Sequence, residues 1–254
     1  MNTFLDKLTA KWDQGKFVCV GLDQADFDKN EQVPSFGNKS VIDSTADLVC
    51  AYKPNAAFYN DVQLQQTVNY IKTSHPDIPI ILDAKRGDIG HTNETYAKAI
   101  FDDLGVDALT VHPYLGKESL QPFLDRKDKG IIVLVKTSNP GAGEFQDLMV
   151  DGVPLYQEVA EHIVSWNTNG NVAAVVGATY PEDLKIVRRI VGDLPILIPG
   201  IGTQGGDLAA IIKNGLNSKK QGLIISASRS IIFAPDPRKA TEDLHNQIQD
   251  VLKS

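Results

Sequence analysis

Eight short apolar runs recur along the chain, at residues 17–23, 47–55, 78–85, 107–113, 130–138, 171–179, 194–202 and 222–228. Each is rich in Val, Ile, Leu or Ala and is bounded by Gly, Pro, Asp or Asn. Runs that are apolar at consecutive positions predict strands covered on both faces, as in a parallel sheet. Between them lie stretches with helical spacing: SVIDSTADLV, DVQLQQTVNYIKT, NETYAKAIFDDLG, YQEVAEHIVSWNT, PEDLKIVRRIVG and GGDLAAIIKNG. Several close on Gly or Asn, as helix C-termini do. Near the N-terminus Phe4, Leu5, Leu8 and Trp12 share one helical face, which reads as a short amphipathic helix and not as a signal peptide. Eight strand-then-helix units imply a parallel sheet, and a count of eight favours closure. The expected fold is α/β, a single (β/α)8 TIM barrel with a short N-terminal helix, with residues 1–254 as one domain. The connection after the fifth run, NPGAGEFQDLMVDGVP, is longer than an ordinary βα loop and reads as a mobile, functional loop.

A chain of 254 residues is long enough for such a barrel and its core. The formal net charge of −7 makes nucleic-acid backbone and anionic lipid poor partners. A small anionic substrate stays open, because a local Lys/Arg cluster can outweigh the global sign. No apolar run approaches the ~20 residues of a membrane span, so no membrane association is expected and the expected location is the cytoplasm. Cys19 and Cys50 sit in apolar runs and read as small buried hydrophobes, without zinc-site spacing.

In a barrel of this kind the site lies at the C-terminal ends of the strands. Charged and polar residues gather at those ends: Asp23, Lys53, Asp83, Lys85, Asp88, His112, Lys136, Ser138, Asn139 and Arg229. The third run closes on DAKRGD. Asp83 and Lys85 are two apart and so share a face of a strand, with Ala84 on the other. Asp88 follows on the turn after Gly87, and Lys53 can complete an alternating Lys/Asp row. An ammonium between carboxylates is held in its charged form. It can neutralise and protonate a carbanion that forms as carbon dioxide leaves. Two other readings fit the same spacing: a structural ion-pair network, and a metal site, which is opposed by two lysines that already balance the aspartates.

The seventh run continues into IPGIGTQGGDLAAI, where Gly200, Gly202, Gly205 and Gly206 let backbone N–H groups approach an anion ahead of a helix. The eighth run places Arg229 next to it, suited to bidentate phosphate contact. Asp23 can accept ribose hydroxyls, and Ser138 and Asn139 can read a base edge, although both spacings also serve as ordinary caps or turns. His112 reads as a packing residue.

Taken together, DAKRGDIGHT, AYKPNAAFY, LVKTSNPG, IPGIGTQGGD and SASRSI resemble the bacterial-type branch of the orotidine 5′-phosphate decarboxylases, over nearly the whole chain. The resemblance implies conversion of OMP to UMP and carbon dioxide, the last step of de novo pyrimidine synthesis, without metal or organic cofactor. It implies Lys85 as proton donor, with Lys53, Asp83 and Asp88 completing the row. It places Asp23 and Thr92 at the ribose, Ser138 at the base, and Gln204 and Arg229 at the phosphate. It further implies a homodimer in which Asp88 and Thr92 enter the partner's site. Related barrels that act on sugar phosphates with magnesium share an Asp-x-Lys-x-x-Asp motif, but the KPN lysine and the TSNPG segment argue against them. A non-catalytic phosphate-binding barrel would need the glycine loop but not the charged row.

Overall fold

A computed structural model describes residues 3–23, 37–201 and 207–254. The strands are β1 (Val18–Gly21), β2 (Val49–Lys53), β3 (Ile81–Arg86), β4 (Ala108–Val111), β5 (Gly130–Lys136), β6 (Met149–Val150), β7 (Val153–Pro154), β8 (Val172–Val176), β9 (Ile196–Pro199) and β10 (Leu223–Ala227). Eight of them form one parallel sheet in the order β2-β1-β10-β9-β8-β5-β4-β3. Bridges Tyr52–Ile80 and Asn55–Asp83 close β2 onto β3. Every one of the eight apolar runs supplies one barrel strand, so the expected (β/α)8 barrel is what the chain forms. Strands β1, β2, β4, β8 and β10 are buried at every position, which is why their sequences are continuously apolar and do not alternate.

The helices are α1 (Phe4–Trp12), α2 (Asn38–Thr45), α3 (Asp61–Ser74), α4 (Gly90–Ala97), α5 (Gly116–Leu124), α6 (Gly143–Gln146), α7 (Leu155–Trp166), α8 (Pro181–Val191), α9 (Leu208–Gly215), α10 (Arg229–Ile232) and α11 (Pro237–Lys253). None of the described helices is long and apolar enough to cross a membrane. Helix α1 opens with a capping box between Thr3 and Asp6. It lies across the end of the barrel where the strands begin. Phe4, Leu8 and Trp12 are buried and the Trp12 indole donates to the Leu223 carbonyl at 2.8 Å, whereas Leu5, expected on the same face, is 38% exposed.

At that same end Arg188 of α8 is buried. Its guanidinium donates to four carbonyls: Gly215 at 2.7 Å, Gly192 and Leu194 at 2.6 Å, and Gly222 at 3.1 Å. These carbonyls end α8 and α9 and precede β9 and β10. One side chain therefore gathers backbone acceptors from four segments, among them the buried Gly215 carbonyl at the end of α9 and the Gly222 carbonyl, which also accepts from the Ile196 N–H at 2.9 Å.

The connection after β5, expected to be a mobile loop, carries secondary structure of its own. It contains a 3-10 turn at Pro140–Ala142, helix α6, and the antiparallel pair β6–β7. Asp151 and Gly152 form the tip of that hairpin with φ of 50° and 87°. Two left-handed residues give the turn the twist that a two-residue hairpin needs, and Asp-Gly is a preferred pair for it.

Candidate active site

The charged row forms where β2, β3 and β4 end. Lys53 Nζ donates to Asp83 Oδ2 at 3.1 Å, and Lys85 Nζ donates to Asp83 Oδ1 at 2.6 Å. The side chains of Lys53 and Asp83 are 6% and 13% exposed, while that of Lys85 is 50% exposed. Burial alone would raise the Asp83 pKa, but the charges of Lys53 and Lys85 overcome it and hold the carboxyl down at about 2. Burial likewise works against the Lys53 ammonium, and the charges of Asp83 and Asp23 outweigh it, so its pKa lies above the ordinary value. Asp83 is thus a fixed anion between two ammonium groups, and Lys85 is the member that faces open space.

Strand alternation is only part of how Asp83 and Lys85 meet. The pairing of β3 with β4 shifts register between Leu82 and Arg86, and Lys85 adopts φ of 46°. A lysine in the left-handed region costs on the order of 1 kcal/mol, and surrounding contacts must hold it there. Thr110 of β4 supplies them. Its Oγ1 accepts from the backbone N–H of Ala84 and of Lys85, each at 3.0 Å, and donates to Asp83 Oδ1 at 2.9 Å. Sequence reading did not single out Thr110. The available signal was one hydroxyl residue inside the otherwise apolar stretch ALTV.

Two openings adjoin the row. A cavity of about 460 Å³ has Asp83, Lys85 and Thr110 on one side, Leu134, Val175, Leu197 and Pro199 as apolar wall, and Thr137, Ser138, Asn139 and Gln146 above. A second space of about 380 Å³ lies between Asp83–Arg86 and Asn55–Ala57. Ser138 reaches the cavity because Gly177 lies behind it. A Cβ on Gly177 would sit 2.7 Å from the Ser138 Cβ, closer than two carbons can approach.

Asp23 follows β1 and belongs to the same rim. Its Oδ2 accepts from Ser228 Oγ at 2.7 Å, and its Oδ1 is buried with no partner among the described residues. A buried carboxylate oxygen without a donor suits a ligand hydroxyl. Arg229, the first residue of α10, is exposed, and its side chain has no ion pair or hydrogen bond among the described residues. Gly202, Gln204 and Gly205 lie outside the described residues.

Asp88 and Thr92 are not brought into the row. Asp88 Oδ1 accepts from the next backbone N–H, that of Ile89, at 2.7 Å, and Asp88 makes no ion pair among the described residues. Its carbonyl is anchored by the buried Asn93, which also donates to the Ser119 carbonyl, both at 2.7 Å. Thr92 is half-buried on α4. His112 packs against this loop with Nε2 3.1 Å from the Gly87 carbonyl. Among the described residues no three His, Cys, Asp or Glu side chains are grouped as metal ligands, and Cys19 and Cys50 are buried free thiols.

This geometry has close relatives. A curated orotidine 5′-phosphate decarboxylase of Thermomicrobium roseum is 51% identical over 257 residues, covering 93% of this chain and 91% of the relative. That of Cellvibrio japonicus is 46% identical over 250 residues, covering 91% and 90%. The solved structure of Leishmania donovani OMP decarboxylase superposes with a TM-score of 0.88 at 37% identity, covering 99% of both chains. Leishmania donovani UMP synthase gives 0.92 at 39% identity, and there this chain spans 57% of the longer protein. The profile of the "Orotidine 5'-phosphate decarboxylase / HUMPS family" matches residues 16–244, and with these relatives it shows that the chain belongs to that family.

Proposed function

We propose that this protein is an orotidine 5′-phosphate decarboxylase that converts OMP to UMP and carbon dioxide as one barrel domain. The observation that carries the reading is the Lys53–Asp83–Lys85 row, whose Asp83 and Lys85 line the cavity. The bond from C6 of the pyrimidine to its carboxylate breaks, the electron pair stays on C6, and Lys85 stabilises it and delivers a proton there. Lys85 leaves the step as a neutral amine and carbon dioxide departs. Asp83 and Lys53 keep the ammonium in place. The unpartnered oxygen of Asp23 receives a ribose hydroxyl, Ser138 meets the base, and Arg229, together with Gly202, Gln204 and Gly205, receives the phosphate. Lysines supply the positive charge at the reacting carbon, so the reading needs no metal or organic cofactor. Two buried free cysteines fit the reducing cytoplasm.

Incubation with OMP, followed by its loss of absorbance, tests the reading. Turnover should be unchanged by a chelator. A magnesium-dependent sugar-phosphate enzyme would leave OMP intact, and a chelator would abolish its own activity.

The proposed assembly is a homodimer in which Asp88 and Thr92 complete the partner's site. In its support, the Asp88 carboxylate accepts, among the described residues, only from the adjacent Ile89 N–H, and Ile89 is 62% exposed. Mixing Lys85→Ala with Asp88→Ala then places both lesions in one site of a hybrid dimer and neither in the other. Random exchange makes about half the dimers hybrid, so roughly a quarter of parental activity should return, by two-fold symmetry. No recovery, with exchange confirmed by tagged chains, would mean that each barrel supplies its own Asp88.

A further inference from the structure

Lys136 ends β5, two residues before Ser138, and its side chain is 1% exposed. It lies outside the charged row. Its Nζ pairs with Asp147, which follows α6, and lies 3.9 Å from Asp183 Oδ2 on α8. It also sits over two rings, 4.9 Å from the centroid of Tyr180 and 5.1 Å from that of Tyr156. A buried ammonium is costly unless it is paired, and here two carboxylates and two aromatic faces converge on it.

The next residues continue the same connection. The Thr137 N–H donates to Gln146 Oε1 at 2.9 Å, and Gln146 Nε2 donates to Thr137 Oγ1 at 2.8 Å. Residues 136–137 are therefore joined to residues 146–147 by three bonds in register. Thr137, Ser138, Asn139 and Gln146 in turn form one wall of the cavity that Asp83 and Lys85 face.

We infer that Lys136 is a positioning residue that fixes the wall reading the base. It clamps α6 to the end of β5 through Asp147 without touching the ligand. This deepens the proposed function and rests on it. The free energy of the clamp is expressed only when a base is present, since Arg229, proposed for the phosphate, starts α10 and is not part of the clamped connection.

The test compares two ligands on the intact protein. UMP carries a base; ribose 5-phosphate does not. Lys136→Met should weaken UMP about tenfold, the effect of losing ~1.4 kcal/mol, and leave ribose 5-phosphate within twofold. KM for OMP should rise by a similar factor with kcat within threefold, as expected when an interaction common to ground and transition states is lost. Asp147→Asn, at a half-exposed loop position, should likewise weaken UMP and leave ribose 5-phosphate within twofold, without threatening the fold. Combining the two substitutions should cost little beyond Lys136→Met alone, as partners in one interaction require. Parallel losses for both ligands, or retention of the parental preference for UMP in both single variants, would overturn the inference. A parent that binds UMP no better than ribose 5-phosphate and leaves OMP unchanged would overturn the functional reading itself, and this inference with it.

Discussion

Lys85→Ala is expected to lower turnover of OMP by at least about 10⁴-fold while the barrel stays folded. A positioned general acid contributes about 10²–10⁴-fold, and stabilising developing charge at the same atom adds a further 10²–10³-fold. The fold should survive because the deletion leaves no buried group unpaired. Asp83 keeps Lys53 on one oxygen and the Thr110 hydroxyl on the other, and the side chain removed is half exposed. Alanine meets the same left-handed backbone penalty as lysine, so the substitution adds no new strain. Circular dichroism and thermal melting against the parent would establish the fold, and a single-turnover assay the rate. Activity within threefold of the parent would remove Lys85 from the reacting centre.

Arg188→Met is expected to have the largest effect on stability. It removes the donors from four carbonyls at once, those of Gly215 and Gly222 buried and those of Gly192 and Leu194 closer to the surface, while the long apolar side chain keeps the volume. Bonds from a charged donor contribute about 1.5–3 kcal/mol each, and buried unpaired acceptors cost about 1–3 kcal/mol. Burial also opposes the charge, pulling the guanidinium pKa down to about 10, so part of that sum is returned when the charge is removed. The net expectation is about 3–5 kcal/mol, roughly a 10 °C fall in melting temperature for a barrel of this size. Arg188→Lys should fall between the parent and Arg188→Met, because an ammonium cannot span the same carbonyls. A shift below about 2 °C for Arg188→Met would mean that water replaces the guanidinium. Lys85→Ala and Arg188→Met should then separate cleanly, one losing rate without stability and the other stability first.

The strands were legible because parallel barrel strands are buried on both faces, leaving unbroken apolar runs that stand out from helical periodicity. Asp83, Lys85 and Lys53 were legible as a group because strand ends all point to one rim. What that reasoning could not supply was the shift in β3 that turns Lys85 left-handed, since it depends on Thr110 from a strand whose pattern is otherwise purely apolar. The fold of residues 140–154 was partly written in the sequence: MVDGVP carries an Asp-Gly pair between apolar residues, a hairpin signal that its setting in a long polar connection obscured. Lys136 was read as one more charge at the rim, yet its side chain turns away to Asp147 and two tyrosines, an outcome set by residues far along the chain. Helix α11 has its own start signal, Asp236 followed by Pro237, but was not among the segments picked out by periodicity.

The cavity beside Lys85 is charged on one side and hydrocarbon on the other. Leu134, Val175, Leu197 and Pro199 cannot reorient to screen a charge, so once a ligand displaces water from the space the field of the β3 groups crosses it with less attenuation than in solvent. A flat ring entering there experiences a directional potential and not a uniform one. Regiochemistry follows from that asymmetry: a carboxyl group carried on a ring atom facing the hydrocarbon wall would be out of reach of the ammonium, however well the rest of the molecule fits.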